Sequence, residues 1–138
     1  MSQLKLMALD SEDLKVISSC CQDAVLKIGE MDYLAGEQRF VLAFNRFAWE
    51  KENSKERHKS VLHFERVRNV RVQGIDRKNR EMVISLLAIL FEPAEEPAGT
   101  IELVFAGDGA IRMDVECIEA QLSDMPAAWE TQSRPAHE

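Results

Sequence analysis

Two short runs near the end of the chain set the tightest limit on its fold. Ile101, Leu103 and Phe105 alternate with Glu102 and Val104, and Ile111, Met113 and Val115 alternate with Arg112, Asp114 and Glu116. Between them lies Gly107-Asp108-Gly109, a turn able to supply positive φ. Alternation of period two around a glycine turn marks a β-hairpin with a buried face.

The strand character extends upstream. Val25 to Leu34 reads as one strand, Ala35-Gly36-Glu37 as a turn, and Arg39 to Trp49 as the next strand. In that strand Phe40, Leu42 and Phe44 share one face, and Val41, Ala43, Asn45, Phe47 and Trp49 the other. Phe47 and Trp49 read as packing at the end of the core or, alternatively, as an aromatic contact for a partner. Residues 50–59 hold nothing to bury and read as a solvated loop. Ser60 to Phe64 and Val70 to Gln73 are two more strands. Phe64, Val67 and Val70 are spaced by three, which breaks alternation, and a tight turn at 65–69 would bring all three inward. Gly74 to Arg80 reads as a polar turn. Met82 to Phe91 is apolar on both faces, which predicts a central strand with Leu87 in the core. Pro93 to Gly99 is a loop.

Two helices bracket the strands. Over 11–23, Asp10 or Ser11 can accept from the first free N–H groups, Glu12 and Asp13 suit the positive helix end, and Leu14, Ile17, Cys21 and Ala24 form an apolar stripe. Cys117 to Met125 reads as a short closing helix with Ile118 and Leu122 inward, ended by Pro126. The expected fold is therefore α+β and mostly β. About seven antiparallel strands form a sandwich or half-open barrel, pleckstrin-homology-like in order, with an N-terminal helix and a short C-terminal helix. Residues 1–131 are expected to form a single domain and 132–138 a frayed tail; 138 residues fit one domain.

Apolar residues make up 46% and charged residues 30%, ordinary for a globular chain. The run from Met82 to Phe91 is about half of what a membrane-spanning helix needs. Met1-Ser2-Gln3-Leu4-Lys5 has no basic stretch followed by an apolar one, so neither signal peptide nor anchor is expected. Cys20, Cys21 and Cys117 are an odd set without CxxC spacing, which suits reduced thiols in a cytoplasmic compartment.

The net charge of −7 disfavours nucleic acid and anionic membranes as partners. That total hides a division: residues 50–80 hold ten Lys/Arg against five Asp/Glu, whereas 92–138 hold two Arg against eleven Asp/Glu. Arg66, Arg68, Arg71, Arg77 and Arg80, with Lys78, cluster around one turn and the loop after it; His63 and Asn69 lie nearby, and Asn45-Arg46 come from another strand. Guanidinium groups bind phosphate or carboxylate in a forked geometry, so Arg66, Arg68 and Arg71, with Arg77 and Arg80 at the rim, form the candidate anion or partner site. The bland alternative is a solvated face salt-bridged to the acidic C-terminal third.

Other chemistry is poorly supplied. His58, His63 and His137 show no metal-ligand spacing, so neither metal nor cofactor is expected. Cys117 follows the inward set Ile111, Met113 and Val115 and reads as core. Asp114 and Glu116 would point the same way about 7 Å apart, a separation glycosidases use but also the look of a wet strand face. There is no GxSxG and no phosphate-binding glycine loop. No catalytic residue is assigned.

Leu6 to Leu14, Gln22-Asp23-Ala24, Phe44-Asn45-Arg46-Phe47-Ala48-Trp49-Glu50, Phe64-Glu65-Arg66-Val67, Gly74-Ile75-Asp76 and Ile101 to Leu122 together resemble a small uncharacterised alphaproteobacterial family, a domain of unknown function. The resemblance covers nearly the whole chain. It implies a bacterial cytoplasmic protein of one domain and carries over no activity, cofactor or catalytic residue. The expected function is a non-catalytic binding or interaction module whose basic segment faces a small anionic ligand or an acidic protein partner. An enzyme acting on a small anionic metabolite is the alternative that a deep pocket with Arg beside His63 or Glu65 would favour. A structural subunit is a third, which a large apolar patch would favour.

Overall fold

The computed structural model describes residues 4–47 and 57–125. Along them run β1 (Lys5–Ala8), α1 (Ser11–Cys20), β2 (Ala24–Lys27), β3 (Met31–Leu34), β4 (Arg39–Phe47), β5 (Arg57–Phe64), β6 (Val67–Gln73), β7 (Val83–Pro93), β8 (Gly99–Phe105), β9 (Ala110–Val115) and β10 (Ala120–Asp124). Single 3-10 turns occupy Ile28–Glu30 and Ala35–Glu37. The protein is mostly β, with one helix and an open antiparallel sheet among the described residues. The strands run β1-β10-β5-β4-β2-β7-β8-β9-β6, and β3 lies against β4 off that path.

The hairpin of β8 and β9 is as the alternation requires. Ile101, Leu103, Phe105, Ile111, Met113 and Val115 are buried. Gly107 and Asp108 take φ of 84° and 70°, and the Phe105 N–H donates to the Gly109 carbonyl at 2.9 Å. Helix α1 starts where Asp10 accepts from the Asp13 N–H at 2.8 Å, and it buries Leu14 and Ile17. It stops at Cys20, short of the expected 23. Asp23 turns to positive φ, and its N–H is claimed by the Leu86 carbonyl at 2.8 Å.

The chain corrects four sequence expectations, each for a tertiary reason. Val25 to Leu34 is two strands. The turn at Ile28–Glu30 donates from Ile28 and Gly29 to the Met82 and Arg80 carbonyls, and β2 goes to β7 while β3 goes to β4. The closing helix is absent: Ala120–Asp124 is strand β10, laid between β1 and β5 with Leu122 opposite Leu62. Ala120, Leu122 and Asp124 point inward at period two, which the helical reading of Ile118 and Leu122 overlooked. Among the described residues ten strands stand where about seven were expected. Finally, β7 is not buried on both faces. Leu86 and Ile89 are core, but Leu87 is 42% exposed, with Val83 and Leu90 also outside. With Leu86 inward, alternation puts Leu87 on the outer face, and the register shift between Leu86 and Ala88 then brings Ile89 inward.

The spacing of Phe64, Val67 and Val70 has two separate causes. At the corner from β5 into β6, Arg66 takes φ 61°. A bulge between Val67 and Asn69 then inserts an extra residue. Phe64 and Val67 are fully buried and Val70 is half-buried against the same core. The expected loop at 50–59 enters the described residues only where β5 begins. Trp49, Pro126 and the tail at 132–138 lie outside them. No helix among the described residues is long and apolar enough to cross a membrane.

Candidate functional site

One edge of β4 is shared. Val25 of β2 pairs at Asn45, while β3 pairs along Arg39 to Leu42. β2 passes the sheet on to β7, but the far edge of β3 meets no strand among the described residues. β6, at the end of the path, likewise pairs on one side only, with β9. These two free edges border a cleft of about 670 Å³. It is tied at both ends. At one, Tyr33 Oη donates to the Val67 carbonyl at 2.9 Å and the Val67 N–H donates to the Gln38 carbonyl at 2.9 Å. At the other, the Gly29 N–H donates to the Arg80 carbonyl at 2.9 Å and Arg80 Nη2 donates to the Gly29 carbonyl at 3.1 Å. Gly29 permits that approach, because a Cβ there would lie 3.1 Å from Arg80 Cβ and 3.2 Å from its carbonyl oxygen.

The cleft opens into the core. Met31 and Tyr33 stand opposite Leu42 and Phe40 on the inward face, yet both are only half-buried. Val70 and Val72 of β6 and Ile75 are half-buried in the same way. Ile28, Phe40 and Ile111 are buried and form the floor. Asp76, Arg77, Lys78 and Arg80, from the turn between β6 and β7, rim the mouth with Asp32.

Charge separates this mouth from the rest of the surface. Among the described Lys and Arg side chains, all but Lys5, Arg77, Lys78 and Arg80 have a carboxylate oxygen within 4.0 Å. Three of those four exceptions rim the cleft. Three cations there face two carboxylates, and Asp76 Oδ1 already accepts the Lys78 N–H at 3.1 Å.

The five arginines singled out from sequence are therefore divided. Arg77 and Arg80 belong to the cleft mouth. Arg66, Arg68 and Arg71 do not join them. Arg66 Nε lies 3.3 Å from Glu119 Oε1, Arg68 Nε 3.9 Å from Glu116 Oε2, and Arg71 Nη2 2.8 Å from Asp114 Oδ1. Asp114 and Glu116, the carboxylates at glycosidase-like spacing, are thus partners of this ladder. Asp114 also accepts from Asn69 Nδ2 and Thr100 Oγ1 at 3.3 and 3.1 Å. Pairs this exposed are screened and contribute little to stability.

The other sequence candidates lie elsewhere. Arg46 is fully buried against Asp124. His63 Nδ1 is 2.7 Å from Glu65 Oε2, which also accepts from Arg39 Nε at 2.8 Å; none of the three lines the cleft. Cys117 is half-buried rather than core, beside a second cleft with Leu9, Ser11 and Pro97, because the chain leaves β9 at Val115 for its corner. Among the described residues no three His, Cys, Asp or Glu side chains are grouped to hold a metal ion.

Sequence reasoning missed Met31, Asp32, Tyr33, Val70, Val72 and Ile75 as site residues. An inward apolar side chain reads the same whether its neighbour strand is present or missing. The usable signal was Tyr33, the one tyrosine of the chain, on an inward face where its hydroxyl needs a partner.

Comparison with known proteins found no match among curated proteins or solved structures. The model of one family, described as a protein of unknown function, matches residues 4–137.

Proposed function

The chain belongs to the DUF2948 family, and from the cleft we propose that it is a non-catalytic binding module taking an anionic ligand between β3 and β6. The observation that carries this reading is the mouth: Arg77, Lys78 and Arg80, with no carboxylate oxygen within 4.0 Å among the described residues, rim a cleft walled by Met31, Tyr33, Val70 and Val72. A concave, mostly apolar site with a few convergent polar groups is the usual form of a ligand pocket. Its described lining holds no His, Cys or Ser, which disfavours a serine- or cysteine-type nucleophile paired with a histidine base. The three cysteines, none in a disulfide, support a reducing, cytoplasmic setting. The pleckstrin-homology-like arrangement draws support from the corner where β5 runs into β6. It lacks the closing helix expected at 117–125 and lends no function.

The test is a calorimetric titration with small carboxylates and phosphates on two charge-reversed proteins. Arg77→Glu with Lys78→Glu and Arg80→Glu should abolish binding. Arg66→Glu with Arg68→Glu and Arg71→Glu should leave it nearly intact. The opposite pattern would move the site to the outer face of β6, where an acidic partner becomes the better reading.

A second reading, as a structural subunit, draws on Val83, Leu87 and Leu90 exposed on β7. Light scattering in solution tests it: a dimer dispersed by Leu87→Asp and Leu90→Asp together would favour it.

A further inference from the structure

We infer that the ligand is a compact single-headed amphiphile, an anionic group on an apolar body, lying in the cleft with its head at Arg77, Lys78 and Arg80. This rests on the cleft being the binding site and says what fills it.

The lining is polar at the mouth and apolar within. Met31, Tyr33, Val70 and Val72 form the walls, with Phe40 beneath. The wall side chains are half-exposed, so an apolar ligand body gains by removing their apolar surface from water while the charged rim holds its head. A small hydrophilic anion would leave that surface wet. Tyr33 Oη is committed to the Val67 carbonyl, so the inner end offers it to no ligand head group.

Two free strand edges also suggest an added peptide strand, but the ends of the cleft oppose it. A peptide joining a sheet edge needs that edge open along its length. Here Tyr33–Val67 closes one end and Gly29–Arg80 the other. A bounded cleft of about 670 Å³ fits a small molecule, within the common range of roughly 300–1,000 Å³.

Titration with butyrate, hexanoate, octanoate and decanoate tests the inference on the unaltered protein. Affinity should rise about threefold to fourfold per methylene, which corresponds to about 0.8 kcal/mol for each one buried. Decanoate should bind at least about tenfold more tightly than 1-decanol or inorganic phosphate, about 1.4 kcal/mol. Val72→Trp, which fills the cleft, should remove decanoate binding. Exposed Asp32→Asn should tighten it by removing a carboxylate from the mouth. Should Val72→Trp not melt cooperatively, the chain-length series and Asp32→Asn decide.

A flat chain-length series, with phosphate bound as well as decanoate and both lost on reversing the mouth, would keep the anion site and overturn the amphiphile. An extended glutamate-rich peptide binding more tightly than decanoate would overturn it in favour of strand addition. Decanoate binding indifferent to reversal of Arg77, Lys78 and Arg80 would remove both the inference and the cleft reading beneath it.

Discussion

Arg46 and Asp124, 78 residues apart, meet in a two-point ion pair inside the protein. Nε donates to Oδ1 at 2.9 Å and Nη2 to Oδ2 at 2.8 Å, and Arg46 is fully buried. Ser60 Oγ donates to Oδ1 at 2.6 Å and the Leu4 N–H to Oδ2 at 3.0 Å. One carboxylate thus joins β4, β5, β10 and the residue before β1.

Removing Asp124 takes from buried Arg46 the carboxylate it meets at two points. Asp124→Ala should cost about 3–5 kcal/mol, the usual penalty for breaking a buried pair. Replacing both, as Arg46→Met with Asp124→Leu, should recover most of it. Urea unfolding of the three variants measures this; equal losses in the single and double variants would contradict a charge origin.

The same group sets an acid limit. Burial pushes the Asp124 carboxyl up. The hydrogen bonds from Arg46, Ser60 and Leu4, with the Arg46 charge, outweigh it and leave the pKa below its ordinary value. A carboxylate depressed on folding contributes stability above its unfolded pKa of about 3.9, and loses it as pH falls through the lower folded value. The urea midpoint should therefore drop below about pH 4, and Asp124→Asn, already destabilised at neutral pH, should show less of that drop.

Leu86 and Leu87 are neighbours of opposite fate, 0% and 42% exposed. Leu86→Asp should give insoluble or molten protein, since an unpaired charge in an apolar site costs several kcal/mol or more. Leu87→Asp should stay soluble and melt cooperatively. Circular dichroism melts of the pair check both outcomes.

The three thiols should react unequally. Burial pushes the Cys21 thiol well above its ordinary pKa, with Cys20 adding to it, whereas Cys20 and Cys117 are half-buried. Because the thiolate is the nucleophile, native protein should take up maleimide at Cys117 or Cys20 long before Cys21. Peptide mapping reads the order, and early labelling of Cys21 would contradict its placement.

Gly99 at the start of β8 tests packing. A Cβ there would lie 2.5 Å from Phe91 Cζ and 2.6 Å from the Glu92 carbonyl oxygen. Gly99→Ala should lower stability by about 1–3 kcal/mol, the range for overpacking. A smaller change in urea unfolding would show that Phe91 gives way.

Much of the hairpin and half of the site were legible in residues. Arg77, Lys78 and Arg80 stood out by charge. Their separation from Arg66, Arg68 and Arg71 did not, because it depends on which carboxylates lie across the strand ladder from each arginine. Arg46, Ser60 and Asp124 were legible in principle. Each continues an inward apolar row: Phe40-Leu42-Phe44, Phe64-Leu62 and Ala120-Leu122. A polar residue in register with a core row asks for a buried partner.

By itself the sequence determined the local periods. Ile101 to Val115 could only be a hairpin, Asp10 to Ile17 carried its own helix start, and Gly107 and Asp108 supplied the turn, all from interactions within a few residues. The tertiary structure decided what periodicity leaves open. Ile118 and Leu122 suit a helix as well as a strand, and the open edge of β5 made Ala120 to Asp124 a strand. Leu87 suits a core, and the pairing of β7 with β2 that turned Leu86 inward put it outside. Met31, Tyr33, Val70 and Val72 carry the pattern of buried residues, and they line a cleft because β3 and β6 do not pair. An unsatisfied edge or a missing neighbour is a relation between distant segments, and no local pattern encodes it.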